Sequence, residues 1–100
     1  MDQLPIVLNV TGKKAVVVGG GLIASRKTET LIKANMQIDV FADKLGQDLL
    51  QAKKNGAITH FARAIEKADL KDALVGFGAS NDKDINLAFY KLAQAEAVPV

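Results

Sequence analysis

The sequence predicts an α/β fold: a doubly wound parallel sheet of strand order 3-2-1-4-5, with an additional N-terminal edge strand. Three observations lead there. Short apolar runs alternate along the chain with longer amphipathic ones, which is the pattern of βαβ units. The first interior run, KAVVV at 14–18, is apolar almost throughout, as a strand covered on both faces must be. It passes straight into Gly19, Gly20 and Gly21, and a helical pattern starts at Leu22.

Each element has its own justification. PIVLNV at 5–10 predicts the edge strand, because Pro5 has no N–H for an interior ladder, and residues 9–13 turn the chain into the first parallel strand. Residues 22–34 form a helix with Ile23, Ala24, Leu31 and Ala34 near one face, stopped by Asn35. Residues 36–42 (MQIDVFA) alternate as a second strand. A second helix over 45–55 aligns Leu45, Leu49 and Ala52, and Gly56 supplies its C-terminal glycine. A third strand follows at 57–62, a short turn or helix at 66–71, and a fourth strand at 72–80. Residues 82–96 make the clearest helix, with Ile85, Ala88, Phe89, Leu92 and Ala93 on one stripe and Asn81 or Asp82 as its cap. VPV at 98–100 begins a fifth strand.

Composition narrows the function. One hundred residues form a single domain, 1–100, and a hydrophobic fraction of 49% with 24% charged is ordinary for a soluble globular protein. Thirteen basic against eleven acidic residues leave only +2, with no basic run longer than two, so no nucleic-acid partner is expected. The absence of cysteine removes disulfides and thiolate chemistry and fits a reducing cytoplasm. No apolar run approaches the ~18 residues of a membrane span, and no basic region precedes the first apolar stretch as a secretory signal requires.

The glycines carry the chemistry. Gly19, Gly21 and Ala24 satisfy G-x-G-x-x-G/A between a strand and a helix, the context in which this weak motif gains meaning. Gly19 permits the tight turn, Gly21 lets a pyrophosphate approach the backbone, and Ala24 allows close helix–strand packing. The helix start offers free N–H groups and a positive dipole end to the phosphates. The competing account is a glycine turn tuned for packing alone. An acid roughly 20 residues further on should hold the ribose hydroxyls. Asp39 and Asp43 compete for that role. Asp39 sits mid-strand and would point into a flanking layer, whereas Asp43 follows the strand's carboxyl end, where ligands of open sheets bind. Asp43 is preferred, with Lys44 beside it as a contact that leaves room for NADP as well as NAD. Capping the second helix is the other role open to Asp43, and the two are compatible.

GFGASND (76–82) forms the far wall of the same crevice. Its small residues, Ala79 among them, would let a nicotinamide ribose lie against the backbone, with Ser80 and Asn81 as hydrogen-bond partners. A plain strand-to-helix loop explains the stretch equally well. Arg26 and Lys27 could reach anionic groups or simply form a solvated face, Lys53–Lys54 reads as surface, and the lone His60 reads as a partly exposed strand residue. No catalytic triad, paired carboxylates or metal-ligand spacing emerges, so the catalytic residues are unassigned and no metal is expected.

Taken in order, LPIVLNVTGKKAVVVGGG (4–21), ASRK (24–27), GASND (78–82) and the final VPV resemble the N-terminal domain of siroheme synthase. The same domain occurs as the free precorrin-2 dehydrogenase/sirohydrochlorin ferrochelatase. The G-G-G-x-x-A-x-R-K signature at 19–27 is the most telling part, and the resemblance spans 4–100. It implies an NAD-dependent oxidation of precorrin-2 to sirohydrochlorin, with ferrous iron insertion in bifunctional members and a homodimeric full-length protein. It implies NAD contacts at Leu22, Ile23, Asp43 and Lys44. Leu22 departs from the acidic or polar residue often found there, which spares a backbone N–H contact but not a side-chain one. In that family the last strand continues into an N-V-V-D segment, then a dimerisation region and a helical tail. These 100 residues stop short of all three. The expectation is therefore a cofactor-binding part that binds NAD weakly and lacks dehydrogenase activity by itself. Arg26 and nearby lysines would hold the substrate's carboxylates. A nucleotide-sensing module that gates ion transport, and a relic fold without ligand, are the competing classes.

Overall fold

The computed structural model describes residues 9–100. Four parallel strands, β1 (Lys14–Val18), β2 (Gln37–Phe41), β3 (Thr59–Phe61) and β4 (Ala73–Gly78), form one sheet in the order β3-β2-β1-β4. Helices α1 (Leu22–Lys33), α2 (Gln47–Lys54) and α3 (Lys83–Ala95) connect or follow them, with a 3-10 turn at Lys67–Leu70. The doubly wound order of the first four strands is as predicted. Residues 5–8 of the predicted edge strand lie outside the described residues, and Asn9 and Val10 are irregular. The turn that follows is present: Gly12 takes φ +75°, and its N–H donates to Asn35 O at 2.9 Å. The predicted fifth strand is not formed at 98–100. A single backbone bond, Gly76 N–H to Pro99 O at 2.9 Å, lays the segment beside β4 without a ladder, since Pro99 has no N–H to give.

Alternation along the strands sorts the core into two layers. Ala15 and Val17 of β1, with Ile38 and Val40 of β2, pack against Ala24 and Leu31 of α1 and Leu49 of α2. Val16, Val18 and Phe41 point the other way, against Leu70, Phe89, Ala93 and Val98. Gly76 makes room for α3, because a Cβ there would stand 2.6 Å from Phe89 Cζ.

Two predicted helix stripes need correction at their N-terminal ends. Ile23 is 54% exposed, Ile85 is 48% exposed, and Ala88 is exposed too. Ile23 shares its face with the exposed Lys27 and Thr30, whereas Ala24 in the same turn is buried; Ile85, in the first turn of α3, lines an open slot. In α1 the buried stripe runs Ala24, Thr28, Leu31 instead, at helical spacing i, i+4, i+7.

Candidate functional site

Registered pairing brings the carboxyl ends of all four strands to one level: Val18 lies opposite Phe41 and Gly78, and Phe41 opposite Phe61. Residues two positions past these ends, Gly20, Asp43, Arg63 and Ser80, therefore rim a single edge. At that edge the three glycines perform three separate tasks. Gly19 adopts φ +135°, and a Cβ on it would stand 2.5 Å from Ala79 O. A Cβ on Gly20 would overlap the carbonyl oxygen of Lys44, while the Gly20 carbonyl accepts the Gly46 N–H at 2.8 Å. Gly21 alone faces open space, its would-be Cβ meeting only Asn81 Nδ2 at 4.0 Å. Two glycines let the loops after β4 and β2 close on the seam, and the third leaves the approach to it clear.

Gly21 is the N-cap of α1, with no side chain to cap it and no acidic residue in the first turn. Ser25 N–H bonds back to Gly21 O at 3.0 Å, so the N–H groups of Leu22, Ile23 and Ala24 have no backbone acceptor among the described residues. Such a helix start favours an anion through both its donors and its dipole. Leu22 (63% exposed) and Ile23 carry apolar side chains into solvent, so what they offer an anion is backbone.

Asp43 and Lys44 are exposed just past β2. Helix α2 begins at Gln47 with Gly46 as N-cap and no side-chain cap, which rules out capping by Asp43. Asp39 is nearly buried and lies 3.6 Å from Lys14 Nζ, so Asp43 is the acid left at the carboxyl edge. His60 is half-buried and acts locally: its Nε2 stands 2.7 Å from Ala42 O, bracing the residue before Asp43. The exposed Lys53 meets the other ring nitrogen at 3.4 Å.

Asp43 also lines an apolar slot of about 390 Å³ between the sheet edge and α3, walled by Val18, Phe41, Ile65, Ile85 and Phe89. Ile85 and Ala88, exposed on the helix, are lining residues of this slot. Arg63 stands at its rim, over the stacked rings of Phe41 and Phe61, whose centroids are 4.8 Å apart. Its guanidinium grips Asp69 with two parallel bonds, 2.7 and 2.8 Å. This pairing, against the opposing effect of burial, holds the Asp69 carboxyl below its ordinary range. A carboxyl whose folded pKa is depressed stabilises the fold above its unfolded pKa of about 3.9, and that contribution fades as pH falls through the folded value. The expected result is that Asp69→Asn lowers Tm at pH 7 and that the gap to the parent closes below about pH 4. Thermal melts across that range check it.

Across the crevice, Ala79 is buried and its N–H bonds to Val18 O at 2.8 Å. Ser80 is organised internally: its N–H donates to Asn86 Oδ1 and its carbonyl accepts Asn86 Nδ2–H, both at 3.0 Å. Its hydroxyl turns onto the backbone of Asp82, at 2.9 Å from the nitrogen. Asp82 caps α3, accepting from Asp84 N–H at 2.8 Å and Ile85 N–H at 3.3 Å. Asn81 is exposed, and its amide group is the one that faces Gly21. Arg26 and Lys27 are exposed on α1, with Lys27 Nζ 5.5 Å from the centre of the Phe77 ring. The motif reading did not single out Arg63, Asn86 or Ile85. Taking the first residue past the predicted strand 57–62, as Asp43 is taken past 36–42, finds Arg63.

A doubly wound sheet carrying a glycine seam at an uncapped helix start defines a nucleotide-binding α/β domain. The family model described as "Putative NAD(P)-binding" matches residues 6–100, and the chain belongs to that family. It is 37% identical over 100 residues to a siroheme synthase of Methylobacillus flagellatus and 35% identical to one of Nitrosococcus oceani. In both cases the match takes in 100% of this chain and 21% of the relative, so the chain spans about a fifth of their length. A solved structure titled "SirC, precorrin-2 dehydrogenase" superposes with a TM-score of 0.76 at 24% identity, covering 85% of this chain and 43% of that one. The likeness to that structure establishes the fold. Among the described residues, no helix is long and apolar enough to cross a membrane.

Proposed function

We propose that this chain, residues 1–100, is the NAD-binding domain of a precorrin-2 dehydrogenase, which oxidises precorrin-2 to sirohydrochlorin in siroheme synthesis. The observation that carries this reading is Gly21: a clear approach to three unpaired N–H groups, in a chain alike along its whole length to siroheme synthases. The residues fit a dinucleotide. Gly19 and Gly20 close the flanking loops, and Gly21 admits the diphosphate to the N–H groups of Leu22 and Ile23. Asp43 accepts from the adenosine ribose hydroxyls, Lys44 flanks it, and the apolar slot beside Asp43 takes the base. Ala79 and Ser80 form the wall for the nicotinamide ribose, and Asn81 faces the diphosphate. Bound NAD supplies the hydride acceptor; the chain's own part is binding and orientation. Arg26 and Lys27 offer cations to the substrate's carboxylates. The same reading places the protein in the cytoplasm, as a homodimer when full length, with iron insertion as a second activity of that longer protein.

The direct test is a thermal-shift titration. A ligand bound only to the native state adds about 2.7 kcal/mol at 100 times its Kd, so Tm should climb steadily with NAD. The chain alone should not turn over precorrin-2. A Tm indifferent to millimolar NAD overturns the assignment; turnover by these residues alone overturns only the expectation that the chain is inactive by itself.

A further inference from the structure

We infer that Arg63 is a further specificity residue of this site: latched by Asp69, it walls the base slot with a flat, charge-paired guanidinium and so favours a dinucleotide without a 2′-phosphate. The inference rests on the dinucleotide reading of the site and adds a selectivity to it.

The ion pair with Asp69, on a slot that already holds the Asp43 carboxylate, makes the case. A guanidinium carries five N–H groups, and its recognition of phosphate relies on a pair of parallel ones. In Arg63 the end-on pair is bound to Asp69, which takes up the cation's charge and leaves Nε–H and one Nη2–H as the remaining donors. Nη1 donates to Asp69 Oδ2 at 2.7 Å and to Ala64 O at 3.1 Å, and Nη2 donates to Asp69 Oδ1 at 2.8 Å. Asp69 is itself fixed, accepting the Glu66 N–H at 2.7 Å, and its side chain is only 15% exposed. One face of the guanidinium is covered as well, with its carbon 5.3 Å from the Phe41 ring centre and 5.2 Å from that of Phe61. Yet the side chain remains 43% exposed, on the rim of the slot it shares with Asp43. A planar, rigid group left open on an apolar slot suits stacking against a flat heteroaromatic ring. A 2′-phosphate at the same place would meet the Asp43 carboxylate and a cation already neutralised by Asp69. Lys44 is the remaining cation beside Asp43, and it is a single flexible point charge without Arg63's fork.

The test compares equilibrium binding of NAD and NADP, by calorimetry at low and moderate salt, across four proteins. They are the parent, Asp69→Asn, Arg63→Met, and the two substitutions combined. Asparagine keeps an acceptor for the Glu66 N–H while releasing the charge of Arg63. The parent should prefer NAD. Asp69→Asn should tighten NADP by about fivefold or more relative to NAD, with the gain shrinking as salt rises. The combined variant should lose that gain, which places it on Arg63. Arg63→Met in the parent background should weaken NAD severalfold without improving NADP, and it keeps the question decidable if Asp69→Asn folds poorly. A parent that binds the two cofactors equally overturns the latch. So does an Asp69→Asn protein that binds NAD with an unchanged NAD-to-NADP ratio, or an Arg63→Met protein that binds both as the parent does. A parent that binds neither overturns the dinucleotide reading itself, and the latch with it.

Discussion

Gly21→Ser should leave the chain as stable as before and cost it about tenfold or more in dinucleotide affinity. Serine is a preferred N-cap, and exchanging it with glycine at that position moves stability by only a few tenths of a kcal/mol. Gly21 has φ −96° and ψ −155°, an extended conformation open to any L-residue, and its would-be Cβ meets no atom nearer than 4.0 Å. The fold therefore has no reason to resist the change. The new Cβ, however, stands in the approach proposed for the diphosphate. The new hydroxyl would also accept the N–H of Ile23 or Ala24, the donors that an anion requires. Melting curves and calorimetry on the same preparation read both effects. A serine variant that binds NAD like the parent would mean the phosphates lie elsewhere.

One residue earlier, the outcome reverses. Gly20→Ala should destabilise the fold by about 3–5 kcal/mol, a large part of the roughly 5–15 kcal/mol available to a domain. The obstacle is the Lys44 carbonyl, which is backbone and has no rotamer to yield. Relief requires moving the loop after β2, which breaks the 2.8 Å bond from Gly46 N–H to Gly20 O and displaces Asp43. Urea denaturation gives the loss directly. Binding should fall too, because Asp43, the proposed ribose acid, travels with the loop. A Gly20→Ala protein as stable as the parent would show that the two loops are not packed this closely. The contrast between neighbouring glycines separates what the fold demands from what the ligand demands.

Much of this architecture was legible from local pattern. KAVVV predicted β1 residue for residue because its buried apolar run, Ala15–Val18, is bounded sharply by lysines on one side and glycines on the other. The helix stop at Asn35, which adopts φ +57°, and Gly56 at φ +76° after α2 follow from chemistry within one turn of chain. What stayed hidden depends on partners distant in sequence. Gly20 occupies an unassigned position of its motif, and its requirement comes from the Lys44 carbonyl. The start of α2 falls at Gln47 because Gly46 is tied to the glycine seam, a bond no periodicity announces. Ile23 lies exposed because it is one position off the buried stripe of Ala24, Thr28 and Leu31, and Ile85 because its face of α3 borders an open slot that spacing does not reveal. Arg63–Asp69 and Ser80–Asn86 are nearer in sequence, but as polar pairs they follow no repeat that would mark them.

In the proposed site the backbone of the first helical turn holds the diphosphate. Amide chemical-shift mapping of the labelled chain with NAD tests it most directly. The largest shifts are expected at Gly21, Leu22, Ile23 and Ala24, with smaller ones at Asp43, Lys44 and Asn81, and the cluster at the first turn is lost in Gly21→Ser. Saturable binding that leaves those first-turn amides in place would contradict it.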